Sequence, residues 1–193
     1  MTRVEHAERT ERGGHAGAVV WFTGLSGAGK STLAFGLERV LFAGGHACYV
    51  LDGDRVRTQL TSDLGFSLHD RSENVRRTGE VARLLTDAGM IAMVALISPL
   101  RADRHRAREL WPVGRFVEVH VNAPLAVCER RDTKGLYARA RAGAIADFTG
   151  ISSPYEPPLR PELELRTAEL SVEECVARVV HELRNRELLR QGI

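Results

Sequence analysis

An uninterrupted stretch, Gly24-Leu25-Ser26-Gly27-Ala28-Gly29-Lys30-Ser31-Thr32, follows the apolar run Ala18 to Thr23 and leads into a helix-like pattern from Ser31 to Ala43. Glycines at this spacing let successive backbone N–H groups turn inward around phosphate oxygens, and the helix start behind them adds partial positive charge. A Gly-rich turn without a ligand is the plainer reading, but the strand before and helix after are the context a phosphate-binding P-loop requires. On that reading residues 24–32 hold ATP, Lys30 bridges its β- and γ-phosphates, and Ser31 ligates Mg²⁺, which keeps several waters and takes its other oxygens from the nucleotide.

A P-loop is shared by kinases, GTPases, motors and regulatory ATP binders, so the acceptor side must discriminate. Asp52 and Asp54, separated by Gly53, stand at the end of a short second strand, Cys48 to Asp52. There they would face the phosphates from the side opposite the P-loop helix. Phosphoryl transfer needs an acceptor oxygen in line with the γ-phosphate and a carboxylate that orients or accepts its proton, with Asp52 also available to the metal. The alternative is a turn with Asp54 capping a helix. Lys30 and Lys134 are the only lysines among 27 basic residues, so each is either retained for its chemistry or left by chance.

The elements that must position these groups alternate. Arg55 to Leu60 reads as a helix, and Arg71 to Asp87 places Val75, Val81, Ala82, Leu84 and Leu85 mostly on one face. Met90 to Ile97 then reads as a buried strand. Arg101 to Leu110 is a charged helix, Phe116 to Val121 a strand, and Pro124 opens a further helix. Residues 130–161, rich in Arg, Gly and Pro, suggest a mobile lid. Glu162 to Arg166 reads as the last strand, and Ser171 with Glu174 as a capping box opening a C-terminal helix. The expected fold is α/β: a parallel sheet of about five strands covered by helices on both faces, of the P-loop nucleotide-kinase kind, with ligands at the carboxyl ends of the strands. Residues 1–17 are polar and read as a disordered arm, and residues 18–193 as one domain.

Composition bounds the partners. A chain of 193 residues with a formal net charge of +2 has room for one core and no field of the kind extended nucleic-acid binding shows. A small-molecule partner and no nucleic acid are therefore expected. Cys48, Cys128 and Cys175 are odd in number and lack metal-ligand spacing, which suits a reducing cytoplasm. The apolar run Met90 to Ile97 is far shorter than the roughly 20 residues of a membrane span, so no membrane is expected.

Beyond the P-loop, several motifs fall in order: Leu51-Asp-Gly-Asp54-Arg-Val-Arg57, Asp63-Leu-Gly-Phe66, Asp70-Arg71-Ser-Glu-Asn74-Val-Arg76-Arg77 and Ile97-Ser98-Pro99-Leu-Arg101-Ala-Asp-Arg104. In the lid lie Val127-Cys-Glu-Arg-Arg131-Asp132-Thr-Lys134-Gly-Leu136-Tyr137, Ala140-Arg-Ala-Gly143, Phe148-Thr-Gly-Ile151 and Pro154-Tyr-Glu156. From Val19 to about Val180 the chain resembles the adenylyl-sulfate kinases. That resemblance implies 3′-phosphorylation of adenylyl sulfate by Mg-ATP. It places Asp54 nearest the ribose 3′-hydroxyl, with Arg57, Arg71 and Asn74 on the acceptor. It makes Phe66 and Phe148 an adenine clamp, puts Ile97 and Ser98 in the acceptor pocket, and makes Lys134 and Leu136 lid contacts. Each phenylalanine alone also fits a core. Ser98 is either a residue that becomes phosphorylated or one that satisfies backbone groups, and Arg131 either stacks on the adenine of ATP or is a solvated charge. Arg55 departs from the family pattern, which often has Asn there. A homodimer and a functional link to an ATP sulfurylase are further expectations. The alternatives are a P-loop kinase of another small hydroxyl compound and a non-catalytic ATP-binding module.

Overall fold

The computed structural model describes residues 4–189. In chain order the elements are α1 (His6–Gly13), β1 (Ala18–Thr23), α2 (Lys30–Ala43), β2 (Cys48–Asp52), α3 (Gly53–Thr58), α4 (Leu68–Asp87) and β3 (Ile91–Ala95). They continue with α5 (Arg101–Arg108), β4 (Phe116–Asn122), α6 (Leu125–Arg131), α7 (Leu136–Arg141), β5 (Leu163–Arg166) and α8 (Val172–Asn185). All five strands are parallel, in the order β2-β3-β1-β4-β5.

Parallel strands flanked by helices are buried on both faces, and every residue of β1 and β3 is buried. Their alternation feeds two cores. Ala18, Val20 and Phe22 meet Leu33 and Leu37 of α2 and Val179 and Leu183 of α8, whereas Val19 and Trp21 meet Val75 and Ala82 of α4 and Phe116. The chain visits β2 at the sheet edge, returns to β3 beside β1, then crosses to β4 on the far side. The carboxyl ends of β1 and β3 therefore lie side by side at the point where the strand order reverses, the usual place for a ligand in such a sheet.

Four local expectations are adjusted. The arm expected to be disordered contains α1: Glu5 N donates to Glu8 Oε2 at 2.7 Å, and Gly14, at φ 69°, donates its N–H to Thr10 O at 2.8 Å. Both ends of a polar segment are thus capped. Residues 1–3 of that arm lie outside the described residues. Second, α4 begins at Leu68, ahead of Arg71, because the Ser67 hydroxyl accepts from Asp70 N at 3.1 Å. Third, β3 ends at Ala95, and the Ile97 carbonyl accepts from the Thr23 hydroxyl at 2.8 Å instead of continuing the ladder. Fourth, the lid segment holds its own short helix, α7, whose first amides are satisfied by Asp132: Leu136 N at 2.8 Å and Ala138 N at 3.1 Å.

Candidate active site

The P-loop spans the gap between β1 and α2. Gly24 has φ 153°, and a Cβ there would sit 2.4 Å from the carbonyl oxygen of Val121, so no side chain fits. Gly29 caps α2 at φ 108°, a backbone region that side chains avoid. Lys30 is buried, with Nζ donating to Leu25 O at 2.7 Å. Burial pushes its pKa down to about 8, against the opposing pull of Asp52 and Asp54. The Ser31 hydroxyl donates to Asp52 Oδ1 at 2.5 Å. The other carboxylate oxygen, Oδ2, accepts from Asp54 N at 3.3 Å, which makes Asp52 the cap of α3 and leaves the Asp54 side chain out of that role. Asp54 instead forms an ion pair with Lys134, which reaches across from the lid.

The residues expected on the acceptor side lie on α3, α4 and the loop between them. Arg57 donates to Gly65 O at 2.7 Å and lies 4.5 Å over the ring of Phe66, a residue that is 60% exposed. Arg71 donates from Nε to Phe66 O and from its other arm to Asp147 O, each at 2.9 Å. One guanidinium therefore ties the backbone of Phe66 to the residue before Phe148. Burial holds the pKa of both arginines below the usual range, and the positive charge of Arg57 adds to the effect on Arg71. A phosphate or sulfate placed between them would relieve both, in the planar geometry a guanidinium prefers. Asn74 is buried, its side-chain oxygen accepting from Thr61 at 2.7 Å.

Phe66 and Phe148 are not equivalent. Phe148 packs edge-on against Tyr137 at 4.9 Å in the main core, so the structure puts one ring in solvent and the other inside. The Arg131 guanidinium donates to Thr167 O at 2.6 Å and to Gly27 O and Ala28 O at 3.4 Å, bracing the back of the P-loop. Leu136 packs against the core. Ser98 is buried with φ 39°, and its hydroxyl accepts from Trp21 Nε1 at 3.1 Å. The adjoining Ile97 carbonyl is held by Thr23 at the end of β1. Arg55 lies at the surface with its guanidinium 5.9 Å from the Tyr49 ring, back along β2 and away from the strand's carboxyl end.

Residues that local patterns do not single out complete the frame. Tyr137 donates its hydroxyl to Ser26 O at 2.9 Å, linking α7 to the P-loop. Thr167 donates to Ala28 O at 2.7 Å from the loop after β5. Tyr137 and Thr167 carry no local spacing signal, because each contact joins residues more than a hundred positions apart. Two cavities, of about 520 and 330 Å³, flank Leu25 beneath residues 150–158. Neither is lined by Lys30, Asp54, Arg57 or Arg71.

The chain matches the adenylylsulphate kinase family model over residues 16–166. It is 58% identical over 177 residues to the adenylyl-sulfate kinase of Shewanella amazonensis, covering 92% of this chain and 89% of that one. Identity to the adenylyl-sulfate kinase of Acaryochloris marina is 53%, over 97% of this chain and 91% of the relative. Among solved structures, the APS kinase of Mycobacterium tuberculosis in complex with AMPPNP and APS superposes with a TM-score of 0.85 at 49% identity, covering 88% of this chain and 99% of that one.

Proposed function

The chain belongs to the adenylyl-sulfate kinase family, and from that premise we propose that Asp54 and the Arg57–Arg71 pair present the 3′-hydroxyl of adenylyl sulfate to ATP held by the P-loop. The products are ADP and 3′-phosphoadenylyl sulfate. The observation that carries the residue assignment is the ion pair of Asp54 with Lys134, which brings the lid against a carboxylate beside the P-loop and free of capping.

Little covalent work falls to the protein in such a transfer, so its residues act by position and charge. The P-loop amides and Lys30 hold the phosphates, and the charge of Lys30 follows the transferring group. Asp54 orients the attacking hydroxyl and receives its proton. Arg57 and Arg71 fix the anionic end of the acceptor, and Phe66 offers a face for its adenine. The Ser31 hydroxyl and the Asp52 carboxylate, hard oxygen donors already in contact, fit Mg²⁺, which would be completed by ATP oxygens and water. Bound there, Mg²⁺ supplies charge neutralisation on the phosphates. With Arg55 turned toward Tyr49, its departure from the family pattern leaves the acceptor side clear.

The proposal extends to a cytoplasmic homodimer supplied by an ATP sulfurylase. The three free cysteines support a reducing compartment. Among the described residues no helix is long and apolar enough to cross a membrane.

With Mg-ATP, adenylyl sulfate should yield ADP and a product phosphorylated at the 3′ position, while the 3′-deoxy analogue binds without reacting. Asp54→Asn keeps the side-chain size and removes the charge, so turnover should fall by about 100-fold or more with smaller changes in ligand affinity. Full activity in that variant would move proton handling to Asp52 or the substrate. A folded protein that phosphorylates other hydroxyl compounds and never adenylyl sulfate would overturn the reading.

A further inference from the structure

Arg104, in the first turn of α5, is 2% exposed and makes three directed contacts. Nε donates to Glu118 Oε1 of β4 at 2.8 Å, one terminal nitrogen to Ser98 O at 2.6 Å, and the other to Glu156 O at 2.7 Å. Its guanidinium carbon also stands 5.8 Å from the centre of the Tyr155 ring. A buried cation is tolerable only when paired and hydrogen-bonded, and the Glu118 carboxylate supplies the opposite charge. That pairing would need one edge of the fork. The remaining edge is used to join two backbone carbonyls from segments far apart in sequence.

Those segments are the acceptor loop after β3 and the strap on which the lid returns to the sheet. They are fastened at further points: Glu156 N donates to Pro99 O at 2.9 Å, the Glu156 carboxylate accepts from Arg101 N at 2.8 Å, and Arg101 Nε donates to Pro157 O at 2.7 Å. Thr23, the last residue before the P-loop, gives its hydroxyl proton to Ile97 O, so Tyr155, whose hydroxyl is 3.1 Å from Thr23 Oγ1, is the donor in that contact. The strap, the acceptor loop and the root of the P-loop thus share one hydrogen-bonded frame, in which Arg104 joins the first two and Thr23 joins both to the P-loop. Ser98 needs such a frame. At φ 39° it lies in a backbone region that is unfavourable for a non-glycine residue, and it persists only where its surroundings over-determine it.

We infer that Arg104 is a positioning residue for phosphoryl transfer: its fork registers the lid's return strap against Ser98, so that the lid closes on the acceptor in a fixed relation to the P-loop. The inference rests on the proposed adenylyl-sulfate kinase reading. If the wild-type protein fails to phosphorylate adenylyl sulfate, that reading falls; if it succeeds and the variants below show no selective effect, only the role of Arg104 falls.

Arg104→Lys preserves the charge opposite Glu118 and loses the fork. Its control is Arg108→Lys in the same charged cluster, where Arg108 pairs with Glu162 at 2.7 Å and Glu118 at 3.2 Å and makes none of the contacts of Arg104 to Ser98 O and Glu156 O. A merely structural role predicts that both variants lose thermal stability and change kinetic constants alike. The positioning role predicts that Arg104→Lys lowers kcat/KM for adenylyl sulfate by about tenfold or more while KM for ATP stays within about twofold, since small misplacements of a reacting group are expensive in rate. Arg108→Lys should show the stability loss without that split. Tyr155→Phe removes only the hydroxyl that ties the strap to Thr23, and keeps the test available if Arg104→Lys does not fold; it should reproduce the acceptor-selective loss in weaker form. Parallel losses toward both substrates, or kinetics indistinguishable from Arg108→Lys, would overturn the inference, as would an unaltered Tyr155→Phe enzyme.

Discussion

Lys30 shows how burial and charge set a single residue's behaviour. Its ammonium sits beneath the P-loop, bound to Leu25 O, and desolvation lowers its pKa from 10.5 to about 8. Between those values the unfolded chain binds more protons than the folded one, so stability rises with pH across the window from about 8 to 10.5. The penalty for burying the charge is fully present below about pH 8 and is relieved above it. In the proposed site ATP would reverse the balance by placing phosphate oxygens on Nζ and holding the proton there. A non-hydrolysable ATP analogue should therefore take up a proton when it binds at about pH 8.5, and its affinity should fall as pH rises further. Titration calorimetry in two buffers of different ionisation enthalpy reads this directly, and Lys30→Met should abolish the difference between them. Equal enthalpies for the wild type in both buffers would show that Lys30 is already charged before ATP arrives. The motif made Lys30 and Ser31 legible in the sequence, and the end of β2 made Asp52 and Asp54 so, whereas the direct bond from Ser31 to Asp52 was not. The positive φ of Ser98 was not legible, because the groups that hold it come from two other segments, Trp21 and Thr23 of β1 and Arg104 of α5.

Elements were most readable where a local signal governs them. The strand Cys48 to Asp52 and the capping box of Ser171 with Glu174 appear as the sequence indicates, since burial run and cap chemistry each act over a few residues. The start of α4 and the end of β3 were less readable, because Ser67 and Thr23 redirect backbone groups there by side-chain hydrogen bonds. The arrangement of residues 130–161, expected to form a lid, was not legible. Asp132 anchors α7, Tyr137 ties it to the P-loop, and Lys134 between them reaches Asp54. Lys134 is a half-exposed side chain at the tip of that anchored unit, so removing it leaves the anchors intact. Lys134→Ala should raise KM for adenylyl sulfate by about tenfold while leaving KM for ATP within about twofold. Steady-state kinetics with each substrate varied in turn would decide, and equal losses toward both would assign the lysine to general lid stability.

At the scale of the molecule, the alternation of strand and helix was enough to anticipate a parallel sheet with its site at the strands' carboxyl ends, because right-handed crossovers leave few other arrangements. The same reasoning gave no role to the residues before β1, which lack an apolar stripe. The structure nevertheless caps α1 at both ends and docks it at the amino end of the sheet, where the Arg9 side chain lies against Gly89, just before β3. The buried ring of His15 packs 5.0 Å from that of His46 in the turn before β2. Gly17 then passes so close to Thr86 that a Cβ would fall 1.9 Å from its carbonyl oxygen. These contacts lie a strand's length, about 20 Å, from the P-loop. Deleting residues 1–14 removes α1 and keeps His15 and Gly17, so kcat and both KM values should be unchanged and Tm should fall by no more than about 4 °C, the equivalent of roughly 1 kcal/mol in a domain of this size. Extending the deletion through Gly17 strips the ring from His46 and the close seal on Thr86, exposing the first residues of β1. Tm should then fall distinctly further, with kcat preserved wherever circular dichroism shows the protein folded. A shorter deletion that is folded yet inactive would mean that α1 communicates with the site across the sheet, and the separation argued from the length of β1 would be wrong.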